Sequence, residues 1–237
     1  NAVTYFDQMV AEDSTCLRYL EEFCYHRYRG FTDTDLQNVA NRAAQYGLKT
    51  SMLEWWDNGN TYEILHKDLE MGMNSAWQAR VIRGHFDVND SDPQNPVLTI
   101  TKQIQYLRQY FRYIRPGAVR IRAQSNGAAF APLAFVNADG RYTVVVKATG
   151  SGSVSVEDLP AGEDGIRYTT AGANDVALGD QPISVGGSVT ANMPGAGVMV
   201  VHQKDVASVH SNPRQGMRNP RAPRLRATSD GVCVWSL

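Results

Sequence analysis

The hydrophobic periodicity of this chain changes near residue 117, and no single regular secondary structure accounts for both patterns. Before that position, apolar residues recur at helical spacing in several segments, which are separated by short apolar runs. After it, apolar and polar residues alternate with a period of two, as on the two faces of a β-strand. The change predicts an α/β region followed by an all-β region.

The first region has the pattern of helices that alternate with buried strands. Residues 36–46 and 62–71 each carry an apolar face, and a third apolar stripe extends from Ile100 to Ile114 before Pro116-Gly117. Short apolar runs predict strands at 23–28, 49–55 and 75–82. Because strands joined by helices pair in parallel, the sequence predicts a parallel sheet with helical crossovers over residues 1–116.

The second region contains frequent turn signals between alternating segments. Asn137-Ala138-Asp139-Gly140 is typical of a hairpin turn, and Gly150-Ser151-Gly152 and Gly186-Gly187 separate further strands. One such strand is predicted at 183–185. Short strands at this spacing predict an antiparallel β-sandwich over residues 117–205. The remaining residues, 206–237, form an Arg/Pro-rich tail.

Composition excludes several classes of protein. With 237 residues, 43% of them hydrophobic, and a net charge of -1, the chain is too apolar and too nearly neutral for a disordered protein. Three cysteines are too few for a disulfide scaffold, and they show no metal-ligand spacing with the histidines. The near-neutral charge argues against a nucleic-acid partner, and no window approaches the roughly 18 apolar residues of a membrane span. We therefore expect no metal, no nucleic acid and no membrane span.

Glu54 is the first candidate catalytic residue. It lies at the end of a predicted buried strand and is followed by Trp55 and Trp56. Functional groups of parallel sheets gather where strands end, and a carboxylate there can attack an anomeric carbon. The indole rings offer flat apolar surfaces on which the C–H faces of a sugar stack. The alternative is a structural glutamate that caps a helix or pairs with an arginine.

The neighbouring predicted strands carry three further candidates. His26 and Tyr28 are two residues apart, so that both side chains face the same side of a strand and could reach one pocket. Trp77 lies in the third predicted strand, where a single tryptophan is more often part of a core than of a ligand platform. The alternative for His26 and Tyr28 is a polar strand end that is satisfied by backbone groups.

The order of these elements, together with several segments around the junction, resembles the C-terminal half of a retaining glycoside hydrolase. The most specific segments are those from Tyr110 to Gly117, from Leu133 to Gly140 followed by 142–146, and from Met193 to Val198. Among these enzymes, the sequence most resembles family 30 of clan A, in which a (β/α)8 TIM barrel is fused to a β-sandwich. The resemblance covers residues 10–203.

The resemblance implies roles for the candidate residues. The three predicted parallel strands would be barrel strands six, seven and eight, with Glu54 at the position of the family's catalytic nucleophile. His26 and Tyr28 would be pocket residues of strand six, and Trp55, Trp56 and Trp77 would bind substrate. The implied reaction needs no cofactor, and the implied partner is an oligo- or polysaccharide. The resemblance also implies a secreted or extracellular protein, although residues 1–10 lack the pattern of a signal peptide.

The acid/base residue of the family has no match in this sequence. It follows an asparagine at the end of strand four, and no Asn-Glu dipeptide occurs in the chain. Retaining enzymes hold their two carboxylates roughly 5–5.5 Å apart. We therefore expect an N-terminal barrel segment or a partner chain to supply the acid/base and the remaining strands.

Two functions follow from these observations. The first is part of a retaining glycosidase that hydrolyses O-glycosyl bonds by double displacement through Glu54. The second is a non-catalytic carbohydrate-binding or structural assembly protein on the same scaffold. A Glu54 buried against an arginine, with no cleft beside it, would favour the second. In the tail, Arg214, Arg218, Arg221, Arg224 and Arg226 either bind an acidic polymer or form a solvated linker.

Overall fold

The computed structural model describes residues 2–28, 30–56, 59–80 and 84–204, and the backbone of residues 232–234. Contacts divide the chain into two compact units, Asn1–Gln103 and Ile104–Leu237. No helix within the described ranges is long and apolar enough to cross a membrane. The five arginines of the predicted tail lie outside the described residues, and the division into 1–116, 117–205 and 206–237 stays a prediction.

The first unit contains a parallel sheet of three short strands. The strand order is β1-β2-β3, with Cys24 opposite Ser51 and Ser51 opposite Ala76. The predicted parallel pairing of these segments is confirmed. The elements are α1 (Ala2–Glu12), a 3-10 turn (Ser14–Tyr19), β1 (Glu22–His26), α2 (Asp33–Tyr46), β2 (Lys49–Glu54), α3 (Tyr62–Glu70) and β3 (Ala76–Trp77).

Helix α2 begins and ends with strong local signals. The Thr32 side chain accepts a hydrogen bond from the backbone N–H of Asp35, and the Asp35 carboxylate accepts one from the backbone N–H of Thr32, which completes a capping box. At the other end Gly47 has φ 68°, in the left-handed region that glycine adopts without strain. At the start of helix α3, the Thr61 side chain accepts a hydrogen bond from the backbone N–H of Ile64.

One face of the sheet packs against helices and the other does not. Phe23 and Tyr25 of β1 and Met52 of β2 are buried in a core with α2, and Phe6 of α1 stacks on Phe23 with ring centroids 4.8 Å apart. Burying a side chain of this size contributes roughly 1.5–3 kcal/mol. Among the described residues of this sheet, the helices pack against the face of Phe23, Tyr25 and Met52, whereas on the opposite face Cys24 is exposed and its partner Ser51 is buried.

Two predicted elements of the first unit have different bounds in the structure. Of the expected strand at 75–82, residues 81 and 82 lie outside the described residues; over 75–80 the regular strand is Ala76–Trp77, and the backbone N–H of Gln78 donates to the carbonyl of Met52 at 3.0 Å. Ile100 does not begin a helix but pairs with Phe86 in a hairpin. The hairpin consists of β4 (Phe86–Asn89) and β5 (Val97–Ile100), and the helix that follows is α4 (Lys102–Phe111).

The second unit consists mainly of two β-sheets. The larger has the order β12-β11-β14-β9-β8-β6 and is antiparallel throughout, and the smaller has the order β13-β10-β15-β7, in which only β10 and β15 pair in parallel. The strands are β6 (Val119–Ile121), β7 (Gln124–Ser125), β8 (Phe130–Val136), β9 (Tyr142–Ala148), β10 (Gly152–Leu159), β11 (Gly162–Thr170), β12 (Ala173–Ile183), β13 (Gly187–Met193), β14 (Gly197–Gln203) and β15 (Val232–Val234).

The two sheets of the second unit share one apolar core. Val144 and Val201 of the larger sheet and Val154, Val156 and Leu159 of the smaller sheet belong to the same buried cluster. These residues alternate with outward-facing neighbours, as the period of two predicts. The predicted turn at 137–140 joins β8 to β9 and is confirmed. The expected strand at 183–185 is instead the end of β12 and a turn, where Val185 is exposed.

Helix α4 packs on the outer face of the larger sheet. Its Gln109 side chain is fully buried and donates to the hydroxyl of Thr169 on β11 at 2.9 Å. That hydroxyl in turn donates to the backbone carbonyl of Gln105 at 3.2 Å. Val145 and Val200, which face outward from the shared core, are buried as well. The larger sheet is therefore covered on both faces over part of its area.

Candidate active site

Glu54 lies at the carboxyl end of β2 and is partly exposed. The hydroxyl of Tyr28, two residues beyond the end of β1, donates a hydrogen bond of 2.6 Å to Oε1 of Glu54. Short O–H···O bonds of this kind stabilise a carboxylate and fix its orientation. Among the described residues, this hydrogen bond is made to Oε1 of Glu54, and Oε2 has no hydrogen-bond partner there.

A β-bulge brings Glu54 to the same face as His26. Tyr25 pairs with Met52, but the next residue of β1, His26, pairs with Glu54, so that Leu53 is passed over. Paired residues of parallel strands share a face. Without the bulge, His26 would face Leu53, and Glu54 would lie on the helix-covered face with Met52. The bulge therefore places the carboxylate on the face that the helices leave open.

Aromatic rings surround the hydroxyl that binds Glu54. The ring of Tyr28 lies 5.4 Å from Trp55 and 4.8 Å from Trp56, measured between centroids, and the Trp56 contact is edge-to-face. His26 contacts the same tyrosine edge-to-face at 5.8 Å. Trp56 remains 49% exposed, and the guanidinium of Arg80 lies 4.8 Å from its ring centroid. The site thus has a flat aromatic surface beside a carboxylate.

The loop after β2 is held by a buried asparagine and a glycine. The side-chain amide of Asn60 donates to the backbone carbonyls of Trp55 and Trp56 at 3.1 and 3.0 Å. A Cβ atom on Gly59 would lie 1.7 Å from Nε1 of Trp55, so no larger residue fits there while this indole keeps its position. These contacts fix the backbone from which both indoles project.

A small cavity lies beside β1. It has a volume of about 250 Å³, and its lining includes His26, Tyr28, Gly30 and Phe31. Glu54 is not among the described residues that line it. His26 and Tyr28 therefore line this cavity and also belong to the aromatic cluster near the carboxylate.

Trp77 lies on the helix-covered face of the sheet and packs against the same core as Trp55. It pairs with Met52, and its indole N–H donates to Oδ2 of Asp68 on α3 at 2.8 Å. Asp68 is fully buried and also forms an ion pair of 2.7 Å with Nη2 of Arg27. Of the six site residues proposed from sequence, the structure groups His26, Tyr28, Glu54, Trp55 and Trp56, and places Trp77 in this separate network.

Sequence reasoning did not identify Asp68, Arg27 or Tyr25 as connected to the site. The hydroxyl of Tyr25 donates to Oδ1 of Asp68 at 2.7 Å, and burial, followed by the charge of Asp68, raises the pKa of this tyrosine. The backbone N–H of Arg27 donates to the carbonyl of Glu54 at 3.3 Å. The network thus connects α3 to both strands that carry the site. In the sequence, Phe23 and Tyr25 alternate with Cys24 and His26, and this period of two is the signal that could have placed Arg27 on the same face as Tyr25.

The described residues suit carboxylate chemistry on a sugar-like ligand. A partly exposed carboxylate, oriented by a hydroxyl and bordered by indoles, can act as a nucleophile or bind a hydroxyl group. Among the residues that the structure describes, no group of three His, Cys, Asp or Glu side chains could hold a metal ion.

Comparisons with known proteins show the fold. No protein-family model matches the sequence, and no curated protein matches it. Among solved structures, the chain is similar to a GH30 endoxylanase from Clostridium papyrosolvens C71, with a TM-score of 0.64 and 20% identity over 81% of this chain and 51% of that one. It is also similar to a glycoside hydrolase family 30 subfamily 8 xylanase from Clostridium acetobutylicum, with a TM-score of 0.63 and 17% identity over 81% of this chain and 51% of that one.

A conserved exported protein from Bacteroides fragilis is a further match, with a TM-score of 0.60 and 16% identity over 76% of this chain and 45% of that one. The chain therefore spans about half the length of the structures that it matches. The architecture described above is that of a family 30-like glycoside hydrolase fold, as the resemblance in sequence implied.

Proposed function

We propose that this chain, which has a family 30-like glycoside hydrolase fold, forms the part of a retaining glycosidase that carries the nucleophile. In this proposal β1, β2 and β3 are strands six, seven and eight of a (β/α)8 barrel, and the two sheets of the second unit form the accompanying β-sandwich. The observation that carries the proposal is the bond of 2.6 Å from the Tyr28 hydroxyl to Glu54 at the carboxyl end of β2. Catalytic groups of barrels lie at that end.

In the proposed mechanism, a carboxylate oxygen of Glu54 attacks the anomeric carbon of a sugar as the glycosidic bond breaks, and the leaving-group oxygen takes a proton from the general acid, so that a glycosyl ester forms. Water that gives its proton to the same acid/base group then attacks the anomeric carbon, which frees Glu54 and releases the sugar with retention of configuration. Tyr28 holds one carboxylate oxygen by its hydrogen bond, so that the other is directed at the sugar. Trp55 and Trp56 form apolar walls on which the sugar ring stacks, and His26, which contacts Tyr28 edge-to-face, is placed to bind a sugar hydroxyl. Trp77 supports this wall through the core that it shares with Trp55.

We propose that a segment outside the described sheet supplies the general acid/base. β1 and β3 each pair with β2 alone among the described strands, so each has one edge with unpaired backbone groups. Cys24 on the face opposite the helices is exposed. Further parallel strands would pair with these edges, close a barrel and bring a second carboxylate to Glu54. An N-terminal barrel segment or a partner chain could provide them.

The proposed substrate is an oligo- or polysaccharide, and the proposed location is outside the cell. Two of the matched structures are described as xylanases and one as an exported protein, which supports both proposals. The non-catalytic alternative expected Glu54 to be buried against an arginine. The described side-chain contact of Glu54 is instead with a tyrosine hydroxyl, and its surroundings are partly open. This contact favours the enzymatic proposal.

The test is turnover by the intact protein with a Glu54→Gln substitution. Hydrolysis of xylan and of 4-nitrophenyl β-glycosides should fall by more than about a thousandfold, because the amide cannot act as the nucleophile. Glu22→Gln is the matched control, since Glu22 lies at the opposite end of the same strand pair. Normal turnover by the Glu54 variant would reject the proposal.

A further inference from the structure

The outer face of the larger sheet carries a histidine in an unusual setting. His202 of β14 lies between Thr143 of β9 and Gly165 of β11 in one row of paired residues. Its ring stacks on Tyr113, with centroids 4.3 Å apart and an interplanar angle of 25°. A Cβ atom on Gly165 would lie 2.5 Å from Nε2 of His202, so the glycine gives the ring room to lie against the sheet. Within the described part of the chain, the imidazole of His202 has no hydrogen-bond partner.

Cationic side chains surround this histidine in excess over carboxylates. Asp139 pairs with Arg141, Asp180 pairs with Lys204, and Asp175 is shared by three arginines, at 2.6 Å from Arg167, 3.0 Å from Arg108 and 3.7 Å from Arg112. Arg115 adds a further cation, and among the described residues the acceptor of its guanidinium is the backbone carbonyl of Phe111. Six cations therefore face three carboxylates.

A cleft opens among these groups. Its volume is about 510 Å³, and its lining includes Arg112, Arg115, Arg141, His202 and Lys204. A second cleft of about 260 Å³ shares Arg112, Tyr113, His202 and Lys204 with it. Arg112 and Arg115 are the least neutralised cations here, because the first has a long ion pair of 3.7 Å and the second only a backbone acceptor. Both guanidinium groups present donors that match the planar oxygens of an oxyanion.

We propose that this cleft of the second unit binds an anionic oxygen group, with the guanidinium groups of Arg112 and Arg115 and the imidazole of His202 as its donors. The chemistry fits a carboxylate of an acidic sugar and a phosphate equally. The site is built from residues of the second unit alone, so it does not depend on the function proposed for Glu54.

The state of His202 is consistent with such a site. Burial, followed by the charges of Lys204, Arg112 and Arg167, lowers the pKa of His202 to about 4, while Asp180 acts in the opposite direction. The imidazole is therefore neutral at pH 7 and donates one N–H. An anion bound beside it would offset the surrounding cations and raise this pKa. Binding should thus be linked to proton uptake by His202.

The experiment is an NMR titration of the intact protein with three probes: sodium phosphate, a galacturonate trimer and an uncharged xylose trimer. We expect saturable shifts at Tyr113 and His202 with the first two probes, a rise in the pKa of His202, and weaker binding at high salt. Tighter binding of the galacturonate trimer would assign the site to a sugar carboxylate, and tighter binding of phosphate would assign it to phosphate. Absence of saturable binding of either anion would overturn the proposal.

Substitutions distinguish anion binding at this cleft from attraction by the general surface charge. Arg112→Ala combined with Arg115→Ala should weaken binding by about tenfold or more, because charge-assisted hydrogen bonds to the anion are lost. Lys147→Ala is the matched control, since Lys147 lies on the same face of β9 as Thr143 but outside the cleft. Unchanged affinity in the arginine variant, with its fold verified by circular dichroism, would overturn the proposal, as would equal losses in both variants.

Discussion

The two compact units bury their sheets in different ways. In the second unit, two sheets cover each other, and α4 covers part of the outer face of the larger one. In the first unit, helices cover one face of three parallel strands, and Cys24 on the other face is exposed. The aromatic and carboxylate side chains of the candidate site project from the less covered sheet. The proposed catalytic residues therefore lie on the sheet that the other described elements cover less.

The buried carboxylates of the two units also differ in their hydrogen-bond partners. Asp68 in the first unit is fully buried and receives hydrogen bonds from Arg27, Tyr25 and Trp77. Asp164 in the second unit is equally buried, but the hydroxyl of Tyr142 is its side-chain donor, and its Oδ1 has no partner in the described structure. The first is a charge held by an ion pair. The second has an environment that favours the neutral acid.

The largest effect on stability should come from Asp68→Ala. Removing one member of a buried ion pair leaves the other charge uncompensated and costs about 3–5 kcal/mol of unfolding free energy. We expect hydrogen exchange of β1, β2 and α3 to accelerate strongly, while β9 and β14 keep their protection. Lys67→Ala removes the exposed ion pair between Lys67 and Asp33 and is the control, with an expected loss below about 1 kcal/mol. Equal loss of protection in both units would show that they do not unfold separately.

The second-largest effect should be on the pH dependence of the unfolding free energy of the second unit. Burial raises the pKa of Asp164 from 3.8 to about 6, whereas its hydrogen bond from Tyr142 acts in the opposite direction. The folded state therefore binds this proton more tightly than the unfolded state. The stabilisation is fully present below about pH 4 and is lost as the pH rises through 6, and two pKa units correspond to about 3 kcal/mol.

The measurement compares the wild type with Asp164→Asn, because other groups titrate in the same range. The depressed pKa of His202 contributes stability that is lost as the pH falls from 6.5 through about 4, which opposes the effect of Asp164. The unfolding free energy of the wild type, relative to that of the variant, should decrease between pH 4 and pH 7. A constant difference across this range would contradict the assignment of a raised pKa to Asp164.

The smallest effect should be on the kcat of a variant of the first unit whose packing is unchanged. Tyr28→Phe removes the hydroxyl that binds Glu54 but keeps the ring that packs on Trp55 and Trp56. Loss of a hydrogen bond to a charged group predicts a decrease in kcat of roughly tenfold to a hundredfold. Tyr46→Phe is the control, because Tyr46 packs against the core of the same unit and its ring contacts Phe6. Unchanged turnover in the Tyr28 variant would mean that this hydroxyl does not position the nucleophile.

Local patterns predicted those parts of the fold that depend on neighbouring residues. The helices over α2 and α3, the hairpin turn at 137–140 and the parallel order of β1 to β3 follow from periodicity, caps and turn residues. The hairpin at β4 and β5 was misread, because Ile100 extends the apolar stripe of the next helix. Its pairing with Phe86 is a contact that helical spacing does not reveal. Helix α1 was not predicted, and its burial depends on the contact of Phe6 with Phe23.

The proximity of five of the six candidate residues was predictable from the sequence, but their geometry was not. Alternation placed His26 and Tyr28 on one side, and the strand end placed Glu54 near them. The bulge that passes over Leu53 depends on pairing with β1, so nothing in the sequence of β2 indicates it. The partner of Trp77 is likewise set by a contact between a strand and a helix. Such contacts form only when distant segments pack together.

The most direct test of the account is covalent labelling of the intact protein by 2,4-dinitrophenyl 2-deoxy-2-fluoro-β-glycosides of xylose and glucose. Such reagents carry a leaving group that needs no acid catalyst, and they trap the glycosyl ester of a retaining nucleophile. Peptide mass spectrometry should find a single fluoroglycosyl group on Glu54, and the Glu54→Gln variant should remain unlabelled. Labelling of a different carboxylate, with Glu54 unmodified, would contradict the account.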